Sequence, residues 1–163
     1  MRASIVKSCV VACAALAAFG ARSFADEPKT EQIRWSKDLY AAHNVSVETG
    51  KPMLILIASE SCPPCRKLKT ATFSDPRIVK YINASFIPVQ LDFEKDAKAI
   101  EILEVEQIPT TIVLSPNADL LGRLVGFATA QDYHAALEKT RVVHRRIESL
   151  RQASASKENV EKK

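Results

Sequence analysis

Residues Met53-Leu54-Ile55-Leu56-Ile57-Ala58 form an apolar run with no polar break and no alternation. Such a run suits a short strand buried on both faces, inside a sheet covered by helices on each side. Shortly after it stands Cys62-Pro63-Pro64-Cys65. Two thiols at this spacing can close on each other. If the strand ends near Ala58 and a helix opens around Cys62, the first sulfur meets the positive end of a helix dipole, where a thiolate is favoured. The second, one turn on, faces inward. Cys62 is then the attacking thiolate and Cys65 the thiol that resolves a mixed disulfide, which is the chemistry of reversible thiol-disulfide exchange.

The rest of the chain supplies the layers this strand needs. Trp35, Leu39, Ala42 and Ser46 recur at helical spacing and predict an amphipathic helix ended by Gly50-Lys51-Pro52. After the cysteines, Cys65, Leu68 and Thr72 make one stripe of a helix from Pro64 to Phe73. Ser74-Asp75-Pro76 restarts a helix over Arg77–Asn83. A strand is expected over Phe86–Phe93, a helix over Glu94–Val105, and a hairpin from Thr110–Leu114 through the turn Ser115-Pro116-Asn117-Ala118-Asp119 to Leu120–Val125. A final helix runs from Ala130 to Leu150, with Tyr133, Leu137, Thr140, Val143, Ile147 and Leu150 inward. From Gln152 to Lys163 the chain is small, polar and charged, and reads as a disordered tail. The reading is therefore one α/β domain over residues 33–151, with a flexible leader at 26–32.

Residues 1–25 read as a secretory signal: Arg2 and Lys7 start it, Cys9–Phe19 is apolar, and Ser23-Phe24-Ala25 offers small residues for cleavage. The apolar stretch falls short of the roughly 20 residues that span a bilayer. An uncleaved anchor and a lipoprotein at Val10-Val11-Ala12-Cys13 are the weaker alternatives. Cleavage after Ala25 removes Cys9 and Cys13 with Arg2, Lys7 and Arg22, so the formal charge falls from +4 to +1. No global basic excess is left to attract nucleic acid. An exported chain with a single cysteine pair is not a disulfide-stapled scaffold, so the pair is read as chemical. The expected location is the periplasm or the extracellular space.

The element order, together with Gly50-Lys51-Pro52, Cys62-Pro63-Pro64-Cys65, Phe73-Ser74-Asp75-Pro76 and Ile108-Pro109-Thr110, resembles the thioredoxin-like superfamily. More narrowly it is similar to exported members related to the reductase domains of periplasmic disulfide-interchange systems. The resemblance spans Ile33 to Leu150 and implies a thioredoxin-like fold, a central mixed sheet of about four strands flanked by helices. It implies that Pro109 follows a cis peptide bond and lies against the cysteines. The backbone of Ile108 then pairs with an extended substrate segment, making Ile108, Pro109 and Thr110 the substrate-binding residues. Two positions depart from the superfamily's pattern. Leu56 stands where a buried aspartate takes the proton from the second thiol, and Ser61 stands where a tryptophan precedes the first cysteine. Glu60, in the loop with Ser61, Pro63 and Pro64, is a candidate proton acceptor; the plainer reading is a solvated loop carboxylate.

Pro63 and Pro64 lack an N–H, so thiolate stabilisation falls to the Cys65 N–H, the helix dipole and Arg66 or Lys67. Cys62 is thus expected to be more acidic than a free thiol but less so than in strong oxidants, which leans toward a reductant or isomerase. The chain has no nucleotide or flavin fingerprint. No cofactor is expected, and electrons must come from a membrane-bound or protein donor. The substrate is a disulfide-bearing protein, and the chain is expected to be a monomer. Three rival readings are an inert disulfide, a non-catalytic partner-binding module and a copper or zinc carrier. A closed zinc site wants four ligands, and His43, His134 and His144 lie far along the chain. Trp35 and Tyr133 read as core or core-edge residues, or as part of a substrate groove. Lys139, Arg141, Arg145, Arg146 and Arg151 read as a solvated helix face, or as a patch for an acidic partner or anionic lipid. Asn44-Val45-Ser46 and Asn83-Ala84-Ser85 match glycosylation sequons.

One processing outcome follows. Expressed in full with an export pathway, the protein recovered outside the cytoplasm should begin at Asp26 by N-terminal sequencing. A recovered chain that retains Arg2 or carries lipid on Cys13 would replace the cleaved signal with an anchor.

Overall fold

The computed structural model describes residues 31–161. The signal segment 1–25 and residues 26–30 of the leader lie outside the described residues.

Four strands make one mixed sheet in the order β2-β1-β3-β4, with β1 at Met53–Ala58, β2 at Ile87–Asp92, β3 at Thr110–Leu114 and β4 at Leu120–Val125. β1 runs parallel to β2 and antiparallel to β3, and β3–β4 is a hairpin. Every residue of β1 is buried. Because side chains alternate across a sheet, the strand feeds two cores. Leu54, Leu56 and Ala58 join Cys65, Leu68, Val79, Ile82, Tyr133 and Leu137 on one face. Met53, Ile55 and Ile57 join Ala42, Val89, Leu91, Ile100 and Ile112 on the other. At roughly 1.5–3 kcal/mol for each fully buried large aliphatic side chain, this strand carries a large part of the folding energy. The α/β class and the four-strand sheet agree with the sequence reading.

Helix α1 (Leu39–Thr49) packs on the second face and α5 (Ala130–Glu161) on the first. The Asp38 side chain accepts from the N–H groups of Tyr40 and Ala41, and Gly50, at φ 69°, closes the helix in the left-handed conformation that glycine favours. The helix therefore does not include Trp35, contrary to its apparent spacing. Ser36 instead forms a parallel bridge with Val89, extending the sheet beyond β2. Asn83 secures the segment before it: its Oδ1 accepts from the Arg34 N–H, and its Nδ2 donates to Glu31 and the Gln32 carbonyl. Glu31 and Gln32, expected in a flexible leader, are held by this amide.

Helix α2 (Pro63–Lys67) passes into a π-helical turn, Leu68–Thr72, and α3 (Pro76–Ser85) follows. Asp75 caps α3 and bonds the Arg77 side chain, which with the Arg77 N–H holds its carboxyl down at about 2. This cap is fully charged above the ordinary carboxylate range and is lost as pH falls toward about 2. The helix expected over Glu94–Val105 is shorter: α4 covers Ala97–Ile102. The Asp92 carboxylate captures the N–H groups of Glu94 and Lys95 in a turn, and Glu104 is left-handed at φ 50°. Side-chain capture of backbone donors competes with the helix at its start, and at its end Arg123 donates to the Leu103 and Glu104 carbonyls.

The last helix runs through the segment read as a disordered tail. Gln152–Glu161 contains neither glycine nor proline, and extending an existing helix avoids the nucleation cost. The helix outruns the sheet, so the expected inward stripe ends early. Tyr133, Leu137 and Thr140 are buried, while Val143 and Leu150 are exposed. Arg141 and Arg151 are not free charges. Arg141 faces Glu138 and the Tyr81 ring, and Arg151 grips Asp119 at 2.7 Å and Glu148 at 3.1 Å.

Gly122 of β4 meets α5 closely: a Cβ there would lie 2.7 Å from the Thr140 methyl. Thr140 is buried and stiff at χ1. Gly122→Ala should cost about 1–3 kcal/mol in urea denaturation. Thr140→Ser, which removes the methyl and keeps the hydroxyl that donates to Leu137, should recover most of the loss. No recovery would place the conflict elsewhere.

Candidate active site

The loop Ser59–Ser61 leaves the carboxyl end of β1 and delivers Cys62 to the start of α2. Cys62 and Cys65 are disulfide-bonded, with Cα atoms 5.3 Å apart. Their surroundings differ. Cys62 is half-buried, whereas Cys65 is 1% exposed in the core cluster that holds Leu56 and Leu68. Pro63 and Pro64 occupy the first positions of α2 and offer no N–H. The Cys65 N–H, 3.3 Å away, donates to Cys62 Sγ.

Pro109 follows a cis peptide bond, and the Ile108 carbonyl oxygen lies 3.8 Å from Cys62 Sγ. Pro109 is buried, and its carbonyl accepts from the Gly126 N–H. Thr110 is 1% exposed and turns its hydroxyl to the Gln107 carbonyl. Of the three residues, Ile108 alone presents accessible surface beside the sulfur.

The other sequence-derived residues divide clearly. Glu60 and Ser61 are exposed and line a cleft of about 770 Å³ that includes Trp35 and Lys69. The Glu60 and Ser61 carbonyls accept from Arg66, which ties that cation to the loop ahead of Cys62. Lys67 lies over the Phe127 ring, 4.4 Å from its centroid. Trp35 packs against Phe73 at 5.5 Å between centroids, and Phe73 packs in turn against buried Tyr133. Trp35 is thus at the core edge, through an extended segment instead of a helix. The histidines stay apart from the cysteines. His43 meets the Pro116 carbonyl, His134 packs at a tilt against Tyr81, and His144 lies by Glu148.

Sequence reasoning missed the loop Gly126–Thr129. Phe127 and Ala128 pack against the same core cluster as Cys62, and the Ala128 carbonyl accepts from buried Thr72 at 2.6 Å. Thr72 sits in the π-helical turn, a distortion common at functional sites. A glycine between the hairpin and the last helix was the available signal. Also unseen was Ser59, whose buried hydroxyl joins Ser61 to Glu94.

A family profile described as a thioredoxin-like domain matches residues 39–141. Among solved structures, the chain is similar to the oxidoreductase DsbH, with TM-score 0.61 and 14% identity over 67% of this chain and 84% of that one. A thioredoxin from Thermus thermophilus gives 0.59 and 24% over 69% and 87%. A thioredoxin from Trypanosoma brucei brucei gives 0.53 and 15% over 73% and 96%. These likenesses concern the fold. Comparison with curated protein sequences finds no match.

Leu56 is 1% exposed on the same core face as Cys65. Leu56→Asp should cost about 3–5 kcal/mol at pH 7, since its carboxylate would be buried without a partner. Burial raises the folded-state carboxyl pKa above its unfolded value, so the loss grows as pH rises above that unfolded value. Urea denaturation at pH 4 and pH 7 measures this; equal losses at both would mean that the carboxylate reaches water.

Proposed function

The chain belongs to the thioredoxin-like family, and from that premise we propose that it is an exported thiol-disulfide oxidoreductase that reduces or isomerises protein disulfides. The observation that carries this reading is the unequal burial of the pair: Cys62 is reachable, and Cys65 is enclosed at its back. An incoming disulfide meets only Cys62.

In the reduced protein, Cys62 thiolate attacks one sulfur of a substrate disulfide. A Cys62–substrate bond forms, the substrate S–S bond breaks, and the departing sulfur leaves as a thiolate that takes up a proton. Cys65 gives up its proton and attacks Cys62 Sγ, releasing the second substrate thiolate. Two electrons pass to the substrate, and Cys62–Cys65 becomes the disulfide. A membrane-bound or protein dithiol returns the two electrons. The Ile108 backbone, beside Cys62, pairs with an extended substrate segment, so side-chain selectivity is modest. Direction follows from donors. With two prolines after Cys62, the Cys65 N–H is the turn's remaining backbone donor to its sulfur. A modestly stabilised thiolate makes a reductant.

Redox titration of the purified protein in graded thiol-disulfide buffers, read by mass shift on alkylation, tests this. The expected result is a reversible two-electron transition below about −200 mV, lost in Cys62→Ser. A transition near about −120 mV would make the protein an oxidant, and none at all would end the exchange reading.

A further inference from the structure

Three residues before Cys62, a chain of hydroxyls runs back from the active-site loop to a carboxylate on another segment. Glu94 Oε1 lies 3.3 Å from Ser59 Oγ, and Ser59 Oγ lies 2.8 Å from Ser61 Oγ. The Ser61 N–H also points at Ser59 Oγ, at 3.3 Å. Ser59 is 7% exposed, and its carbonyl accepts the Cys62 N–H at 3.4 Å.

Counting donors sets the direction of this chain. An ionised carboxylate only accepts, so the single Ser59 proton goes to Glu94. The Ser59 oxygen then has its lone pairs for the Ser61 N–H and the Ser61 O–H. The Ser61 hydroxyl proton is thereby committed away from its neighbour in sequence, Cys62. The adjacent lysine does not neutralise Glu94: Lys95 pairs with Asp92, at 3.5 Å. Among the described residues Glu94 has no ion pair within 4.0 Å.

We propose that Glu94 is a positioning residue that orients the Ser59 and Ser61 hydroxyls so that Ser61 withholds its proton from the Cys62 thiolate, which keeps the couple reducing. The inference rests on the exchange reading above. A hydrogen bond to a thiolate stabilises the reduced form and makes the couple more oxidising. With Glu94 gone, Ser59 is free to donate to Ser61, and Ser61 to the sulfur.

The test is a double-mutant cycle between two exposed positions, Glu94→Ala and Ser61→Ala, read as the equilibrium constant of the Cys62–Cys65 couple with glutathione. Glu94→Ala alone should shift the equilibrium about 3- to 10-fold toward the dithiol, some 15–30 mV. In the Ser61→Ala background the same change should move it less than about twofold. A Glu94→Ala shift under about twofold overturns the proposal. So does an equal shift with and without Ser61, which would be a plain charge effect. A wild-type protein without a reversible couple removes the exchange reading itself, an outcome distinct from a reversible couple that ignores Glu94.

Discussion

The complete burial of β1 is the constraint on which the rest depends. A strand with water on neither face has to be paired on both edges and covered on both sides. β2 and β3 supply the edges, and two helical layers supply the cover. Alternate residues commit to opposite cores, so a register slip would exchange Leu54 and Leu56 for Ile55 and Ile57 across the whole sheet. That rigidity fixes the carboxyl end of the strand, and the loop carrying the cysteines starts there. The reactive pair is mounted at the end of the fully buried strand.

Around that mount, short connections from distant sequence converge. The cis-prolyl segment is tied to the end of the hairpin through Pro109 and Gly126. The π-helical turn is tied to the loop after β4 through Thr72 and Ala128. Cys62 therefore sits between Ile108 and the beginning of α2, while Cys65 is sealed by Leu56 and Leu68. The accessible sulfur is placed by these ties, and the enclosed one by the core side chains packed around it.

Much of this was legible in the sequence, and the division has a physical cause. β1, β3 and β4 have the bounds their hydrophobic and turn patterns imply, because strand limits are set by burial and by turn chemistry. Cys62 and Cys65 were singled out by residue type and spacing, and Pro109 by the resemblance that Ile108-Pro109-Thr110 carries. Helix ends were not. Asp38, Asp92 and Asp96 capture backbone N–H groups, and that competition is invisible to periodicity. The segment after Gln152 is small, polar and charged in sequence, yet through Glu161 it continues a helix whose nucleus already exists. Glu94 was assigned to a helix, because its partner, Ser59, lies 35 residues away and no local pattern joins them.

Leu56 and the two prolines bear on the same question from opposite sides. The apolar Leu56 beside Cys65 supplies no carboxylate to take its proton, which under the proposed function would slow resolution. Two prolines after Cys62 withhold donors from its thiolate, which keeps that sulfur a better nucleophile once formed, because intrinsic nucleophilicity falls as a thiol becomes more acidic. The chain thus combines an attacking sulfur that has a single backbone donor in its turn with a resolving sulfur in a dry core. Such a couple would hold a mixed disulfide longer than one with a buried acceptor. A long-lived mixed disulfide lets a second thiol of the substrate compete with Cys65 for Cys62 Sγ. When the substrate thiol wins, the bond is rearranged with no net transfer of electrons, which is the isomerising arm of the proposed function.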